Sequence, residues 1–330
     1  MFDYKGYTKE KIEQLCDDKF AHKGFSEWIY WTSEVYSFGK YIRDYGLYPK
    51  FLPLMCYCNH GIGDDMVYDH ELKNDASCMF VFSDKKCTDY KKESRKPCYI
   101  IPAPFVWYRK KYYIEPLNTA KGTLAFPAHT TPEIDLGSDI ELYIQELRNL
   151  PEEFQPVSVC IHMHDVNKGQ HEIFLKHGIP VYTVGNAFDY RFAKRFYDIL
   201  KNFKYTTSNM VGSYTYYSVE MGIPFSIYGD RPILINNADE NIEKGEYQFL
   251  KNECYKQSSI LFAGLQKEIT KEQKEYVEKS LGIQDCASRS QIAKALYGAY
   301  LKKGNIFKEL PYTLNILRKK IKQKFKRSKR

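Results

Sequence analysis

The 330-residue chain contains no run of about 18 apolar residues, so no stretch is long enough to cross a bilayer as a helix. Its first residues, MFDYKGYTKEKIEQ, lack an apolar core and are not expected to act as a secretory signal. Nine cysteines are present without a Cys-x-x-Cys pair; Cys56 and Cys58 sit one residue apart on one face of an expected strand. An odd number at irregular spacing reads as reduced cytosolic thiols, not as a disulfide framework or a zinc site. Repeats and low-complexity blocks are absent before the tail, and no Asp-x-Asp pair stands at a convincing strand end. The body also lacks net charge. Of 49 Lys and Arg, nine fall in Arg318–Arg330, which has no acidic residue, and the remaining 40 face 41 acidic residues. The positive balance therefore belongs to the tail, which argues against a basic nucleic-acid groove. What is plentiful is aromatic residue, 16% of the chain with 29 Tyr, enough for large cores.

The organising stretch is Lys204 to Asp230, KYTTSNMVGSYTYYSVEMGIPFSIYGD. It reads as a strand over 204–207, a break at Ser208-Asn209 and a helix over 212–220. Gly222 stops the helix, Pro224 keeps it from resuming, and a second strand covers 225–228. The loop offers hydroxyls from Ser208 and Ser213 and free N–H groups at a helix start, beginning near Gly212, which suits a phosphate. The bland alternative is that Ser208 or Asn209 caps the helix; the whole unit favours the ligand.

Strands and helices alternate through the chain. A helix is expected over 27–43, then strands at 51–57, 78–82 and 98–101, the last closed by Pro102 and Pro104. A Tyr- and Lys-rich connector spans 108–121. Beyond it come strands at 123–128, 157–163 and 179–184, with helices at 138–150, 168–177 and 190–203. The pattern predicts an α/β protein of two Rossmann-like domains, 1–115 and 122–300, followed by a basic tail over 301–330.

Candidate site residues follow strands, at the edge where open parallel sheets bind ligands. In the first half, the loop Asn59-His60-Gly61-Ile62-Gly63-Asp64-Asp65 offers His60, Asp64 and Asp65 as acid–base groups; a hairpin or a capped helix start is the alternative. In the second half His129, Thr130, Thr131, Asp165, Gly185, Asn186, Ser208 and Asn209 each follow a strand. His129 alone would read as a buried, hydrogen-bonded histidine; with Thr130, Thr131 and the Ser208 loop it reads as a phosphate holder. His162 and His164 have the spacing of two metal ligands on one strand face, but no third ligand is suitably spaced and a buried strand with a turn Asp explains them equally.

FPAHTTPEID at 126–135, TTSNMVGSYTYYSVEMGIPFSIYG at 206–229 and the Asn-His-Gly at 59–61 resemble the GT-B glycosyltransferases, more narrowly bacterial surface-polysaccharide enzymes of capsule, lipopolysaccharide and teichoic-acid assembly. In sialyltransferase- and Kdo-transferase-like members a His-Pro pair and a Ser-rich pair hold a CMP donor; here Thr130 follows His129, so CMP- and UDP-linked donors both stay open. The resemblance implies a metal-independent transferase with no cofactor beyond the nucleotide-sugar. The second half would hold that donor and the first a glycan or lipid-linked acceptor. Other readings are a non-catalytic nucleotide-binding partner in polysaccharide assembly, or an epimerase or phosphoglycerol-type transferase of the same fold.

In the tail, Leu314, Leu317, Ile321 and Phe325 form one apolar stripe among Arg318, Lys319, Lys320, Lys322 and Lys324. This is the form of an interfacial helix on an anionic membrane; a solvated basic end and a nucleic-acid arm are the alternatives. With the transferase reading it implies a cytoplasmic enzyme, peripheral at the inner face of the plasma membrane.

Overall fold

The computed structural model describes residues 2–21, 31–239, 244–246 and 252–302, together with positions 314 and 318 of the tail. The first half comprises α1 (Lys9–Cys16), α2 (Phe38–Tyr45), β1 (Cys56–Cys58), α3 (Asp69–Lys73), β2 (Cys78–Val81), α4 (Asp84–Glu93), β3 (Cys98–Ile100) and α5 (Pro104–Lys111). There follow β4 (Thr123–Ala125), β5 (Ile134–Leu136), α6 (Ile140–Arg148), β6 (Val157–Ile161), α7 (Met163–Asn167), α8 (Gln170–Lys176), β7 (Val181–Thr183) and α9 (Phe192–Leu200). The chain continues with β8 (Tyr205–Ser208), α10 (Ser213–Glu220), β9 (Phe225–Ile227), β10 (Leu234–Asn236), β11 (Gly245–Glu246), α11 (Glu253–Leu261), α12 (Lys271–Ser280) and α13 (Arg289–Leu301).

Two parallel sheets carry the fold: a three-stranded sheet ordered β1-β2-β3 and a five-stranded sheet ordered β7-β6-β4-β8-β9. The protein is thus α/β, with helices flanking parallel sheets and a Rossmann-like order in the larger one. The chain enters that sheet at central β4, builds outward through β6 and β7, then returns to β4's other side for β8 and β9. Connections on the two sides of β4 diverge, opening a crevice between the carboxyl ends of β4 and β8. β5, β10 and β11 form a small antiparallel sheet that the periodicity did not announce.

The 204–230 unit folds as its sequence dictates. β8 is polar yet buried, because Thr206 Oγ1 donates to the Pro224 carbonyl (3.1 Å) and Thr207 Oγ1 to that of Ser226 (2.9 Å); a buried hydroxyl so paired escapes its desolvation penalty. Gly222 after α10 has φ 92°, the left-handed stop expected of it.

Elsewhere the local reading needs correction. Of the helix expected over 27–43, positions 27–30 lie outside the described residues; from 31 onward the α-helix begins only at Phe38, because Tyr36 (φ 56°) and Ser37 (φ 62°) turn left-handed before it. Tertiary bonds hold that turn: Tyr36 N–H donates to Ala187 O (2.6 Å), and Ser37 Oγ accepts from Ala193 N–H (3.1 Å). The polar stretch before Lys96 contains α4, capped by Ser83 Oγ on Lys86 N–H (3.2 Å). Pro104 both ends the strand region and opens α5, the position where its missing N–H costs no helical bond.

Both ends of the chain cross between halves. Residues 2–21 pack on the β7 edge of the larger sheet: Tyr7 N–H donates to Val181 O (2.8 Å), Asn186 N–H to Leu15 O (2.8 Å), and Phe2 stacks on Tyr182. At the other end, Ala103 N–H donates to Leu281 O (3.0 Å), and Tyr45 Oη to Ala287 O (2.6 Å). One aromatic core runs between the sheets, with Phe105 of α5 stacked on Tyr217 of α10 at 4.6 Å. Beside it, the buried Arg109 grips Glu220 by two bonds of 2.7 and 2.8 Å.

Candidate functional site

A cavity of about 340 Å³ opens beyond the carboxyl ends of β4, β6, β7 and β8. From the larger sheet it takes Phe126, Pro127 and His129 after β4, Ile161 and His162 at the end of β6, Gly185 after β7, and Met210 to Tyr214 after β8. The first half closes it with Tyr36, Phe38, His60 and Phe105. Its walls are largely aromatic, and no Lys or Arg is among the lining residues.

Three hydrogen bonds fix the β4 loop, one to the β8 loop and two to α7. Asn209 Oδ1 accepts from Ala128 N–H (3.1 Å), tying the loops across the crevice. The buried Asp165 Oδ1 accepts from both the N–H and the hydroxyl of Thr130, each at 2.8 Å. His129, beside Thr130, is exposed at the mouth, with Nδ1 3.0 Å from the Thr130 carbonyl. A carbonyl only accepts, so Nδ1 carries the hydrogen and Nε2 is left for a ligand.

His162 caps α7 rather than continuing β6. Its Nδ1 accepts from His164 N–H (3.3 Å), so its hydrogen sits on Nε2, 3.4 Å from the Tyr36 hydroxyl. The His162 ring lies 4.7 Å from that of His129 and 4.8 Å from that of His164. Burial, then the neighbouring His129 and His164, holds His162 well below the ordinary 6.5, and burial pushes the Tyr36 hydroxyl up to about 12. His60 is held down to about 4, first by burial and then by the Lys86 charge. His60 and His162 are therefore neutral at physiological pH, able to accept a proton without first losing one.

His60, His129, Thr131, Gly185, Gly212 and Ser213 line the cavity. Asp64 and Asp65 turn to α11 instead, Asp64 Oδ1 accepting from Asn252 Nδ2 (3.1 Å) and Asp65 Oδ2 from Cys254 Sγ (3.4 Å). Thr130 and Asp165 spend their polar atoms on each other. Asn186 donates to Cys16 O and Asp18 Oδ1, both 3.2 Å, fastening the N-terminal segment. Ser208 is fully buried, accepting from Met210 N–H (3.2 Å) and sharing a hydrogen with Tyr214 Oη at 2.9 Å. It braces the loop and does not face the cavity. Ser213 does, at the start of α10.

His162 and His164 belong to a helical turn, not to one strand face. A group of three possible metal ligands, Glu13, His171 and Glu172, lies on α1 and α8 away from the cavity, with Lys9 Nζ already 2.9 Å from Glu172. Of the tail, Leu314 and Arg318 are helical and exposed; Lys319, Lys320, Lys322 and Lys324 lie outside the described residues. Tyr36 carried no sequence signal of a site, and the stacked pair Phe126–Tyr214 (4.7 Å) lies within the two motif stretches without having been singled out there. Compared with known proteins, the sequence matches no family model and none of the curated proteins.

Proposed function

We propose that this chain is a metal-independent glycosyltransferase in which two Rossmann-like units pair in the GT-B manner. The observation that carries the reading is the cavity's position: it lies at the crevice of the larger sheet and is closed by a histidine-bearing loop from the other half. The donor's phosphate would sit at the start of α10, against Ser213 and His129 Nε2, with the aromatic wall beside its nucleoside. Transfer forms a bond from the acceptor oxygen to the anomeric carbon and breaks that carbon's bond to the phosphate oxygen. The acceptor proton goes to a base, for which the neutral His60 is placed best, and the electron pair leaves with the phosphate. The acceptor would be a glycan or lipid-linked glycan at the inner face of the plasma membrane. The test is incubation with labelled CMP- and UDP-sugars and a polysaccharide acceptor. Release of free nucleotide coupled to acceptor labelling is expected; saturable binding without release would assign the cavity to a non-catalytic nucleotide-binding partner.

A further inference from the structure

We infer that Glu13 of α1 and His171 and Glu172 of α8 bind one transition-metal ion of the zinc class, which fastens the N-terminal segment to α8. The site shares no residue with the cavity and is independent of the transferase reading, so its metal takes no part in the transfer. One donor atom from each of the three residues lies within 4.8 Å of the other two, although the two helices are far apart in the chain.

The buried member separates this group from a chance cluster of surface carboxylates. The His171 side chain is 2% exposed, and neither ring nitrogen has a hydrogen-bond partner among the described residues. An imidazole so placed carries its desolvation penalty uncompensated. Its Nε2 faces Glu13, 3.5 Å from Oε1 but without hydrogen-bond geometry. Donors bonded to a tetrahedral zinc at about 2.0–2.2 Å stand about 3.3–3.6 Å apart. The His171–Glu13 pair is therefore already at ligand spacing. Glu13 and Glu172 are half exposed, so rotation of their side chains can bring the third donor in.

Charge and donor chemistry select the ion. The Lys9 ammonium spans the two carboxylates, 2.9 Å from Glu172 and 3.9 Å from Glu13. It brings one positive charge to two negative ones, leaves the imidazole unpaired, and sits on a half-exposed side chain that can swing into water. A dication in its place neutralises both carboxylates and takes the imidazole lone pair as well. Magnesium and calcium favour all-oxygen sites, whereas zinc accepts nitrogen and carboxylate together, with water in the fourth position.

The experiment is calorimetric titration of the chelator-treated full chain with zinc chloride, and visible spectroscopy with Co²⁺ in its place. One ion per chain is expected, with micromolar or tighter Kd, retained against millimolar Mg²⁺, and with cobalt bands free of thiolate charge-transfer absorption. Glu13→Gln and His171→Ala should each weaken binding at least tenfold; the first, at an exposed position, serves if the second misfolds. Lys9→Met, which removes the competing ammonium, should tighten it. No binding by the wild type, displacement by Mg²⁺, an affinity that all three variants leave unchanged, or thiolate bands that put the ion on cysteine would each overturn the site.

Discussion

The backbone N–H of Ile62 donates to the Ser213 hydroxyl at 3.2 Å, joining residues 151 apart in the chain. This bond seats the His60 loop on the start of α10, so the cavity's acceptor side and donor side are held in one geometry. Gly63 (φ 76°) permits the approach, since a Cβ there would lie 1.9 Å from Tyr216 Oη.

The two loop serines should separate by experiment. Ser208→Ala removes a buried hydroxyl with internal partners, so thermal unfolding should report a loss of about 1–3 kcal/mol. Ser213→Ala should leave stability nearer wild type and weaken nucleotide binding by calorimetry by about 1–3 kcal/mol, the range for a hydrogen bond to a charged group. The reverse ranking would mean that Ser208, not Ser213, meets the ligand.

Asp165 acts on a ligand only through Thr130 and His129. His129→Ala is expected to cut nucleotide affinity with little change in melting temperature. Asp165→Ala should lower both, and Asp165→Asn, which keeps an acceptor oxygen, should recover part of each. Wild-type affinity in Asp165→Ala would show that the β4 loop holds its shape without this contact.

Among the acid–base candidates the burden falls on His60. His60→Ala should lower kcat by about 10²–10⁴-fold with a smaller change in donor KM. Asp64→Asn and Asp65→Asn, whose carboxylates contact α11, should act on stability and leave kcat within a few-fold of wild type. Full activity in His60→Ala would remove the first half from the chemistry.

Acid should destabilise the fold through the site histidines. His60 (about 4), His162 and His164 are all held below their ordinary 6.5, burial being the first cause in each. Above pH 6.5 folded and unfolded chains both hold them neutral, and they contribute nothing. As pH falls below 6.5 the unfolded chain takes up protons that the folded chain refuses. Stability is then lost by up to about 1.4 kcal/mol per pH unit for each of His60 and His162, until its folded value is reached, and by less for the partly exposed His164, where solvent screens the effect. Asp165, raised by burial, acts oppositely, its folded carboxyl taking up a proton before the unfolded one. Melting curves from pH 7.5 to 5 should show the loss, and His162→Asn should flatten it; parallel curves would refute the role of His162.

Sequence alone determined the local pieces. β8, α10 and β9 follow from a β-prone run, a polar break and a Gly-x-Pro stop, all acting within a few residues. The strand-end rule likewise brought His129 and Gly185 to one edge, because in a parallel sheet every carboxyl end faces the same way, and the helix start after β8 added Ser213. Tertiary structure decided which of the edge residues face the cavity. Ser208, Asp165 and Asn186 were as eligible as Ser213 by position, but each found a buried partner whose loss would cost more than a water-exposed ligand contact returns. It also decided the left-handed turn at Tyr36, held from Ala187 and Ala193, and the crossing of both chain ends. Such contacts join residues more than a hundred positions apart, and no local periodicity encodes the distance between them.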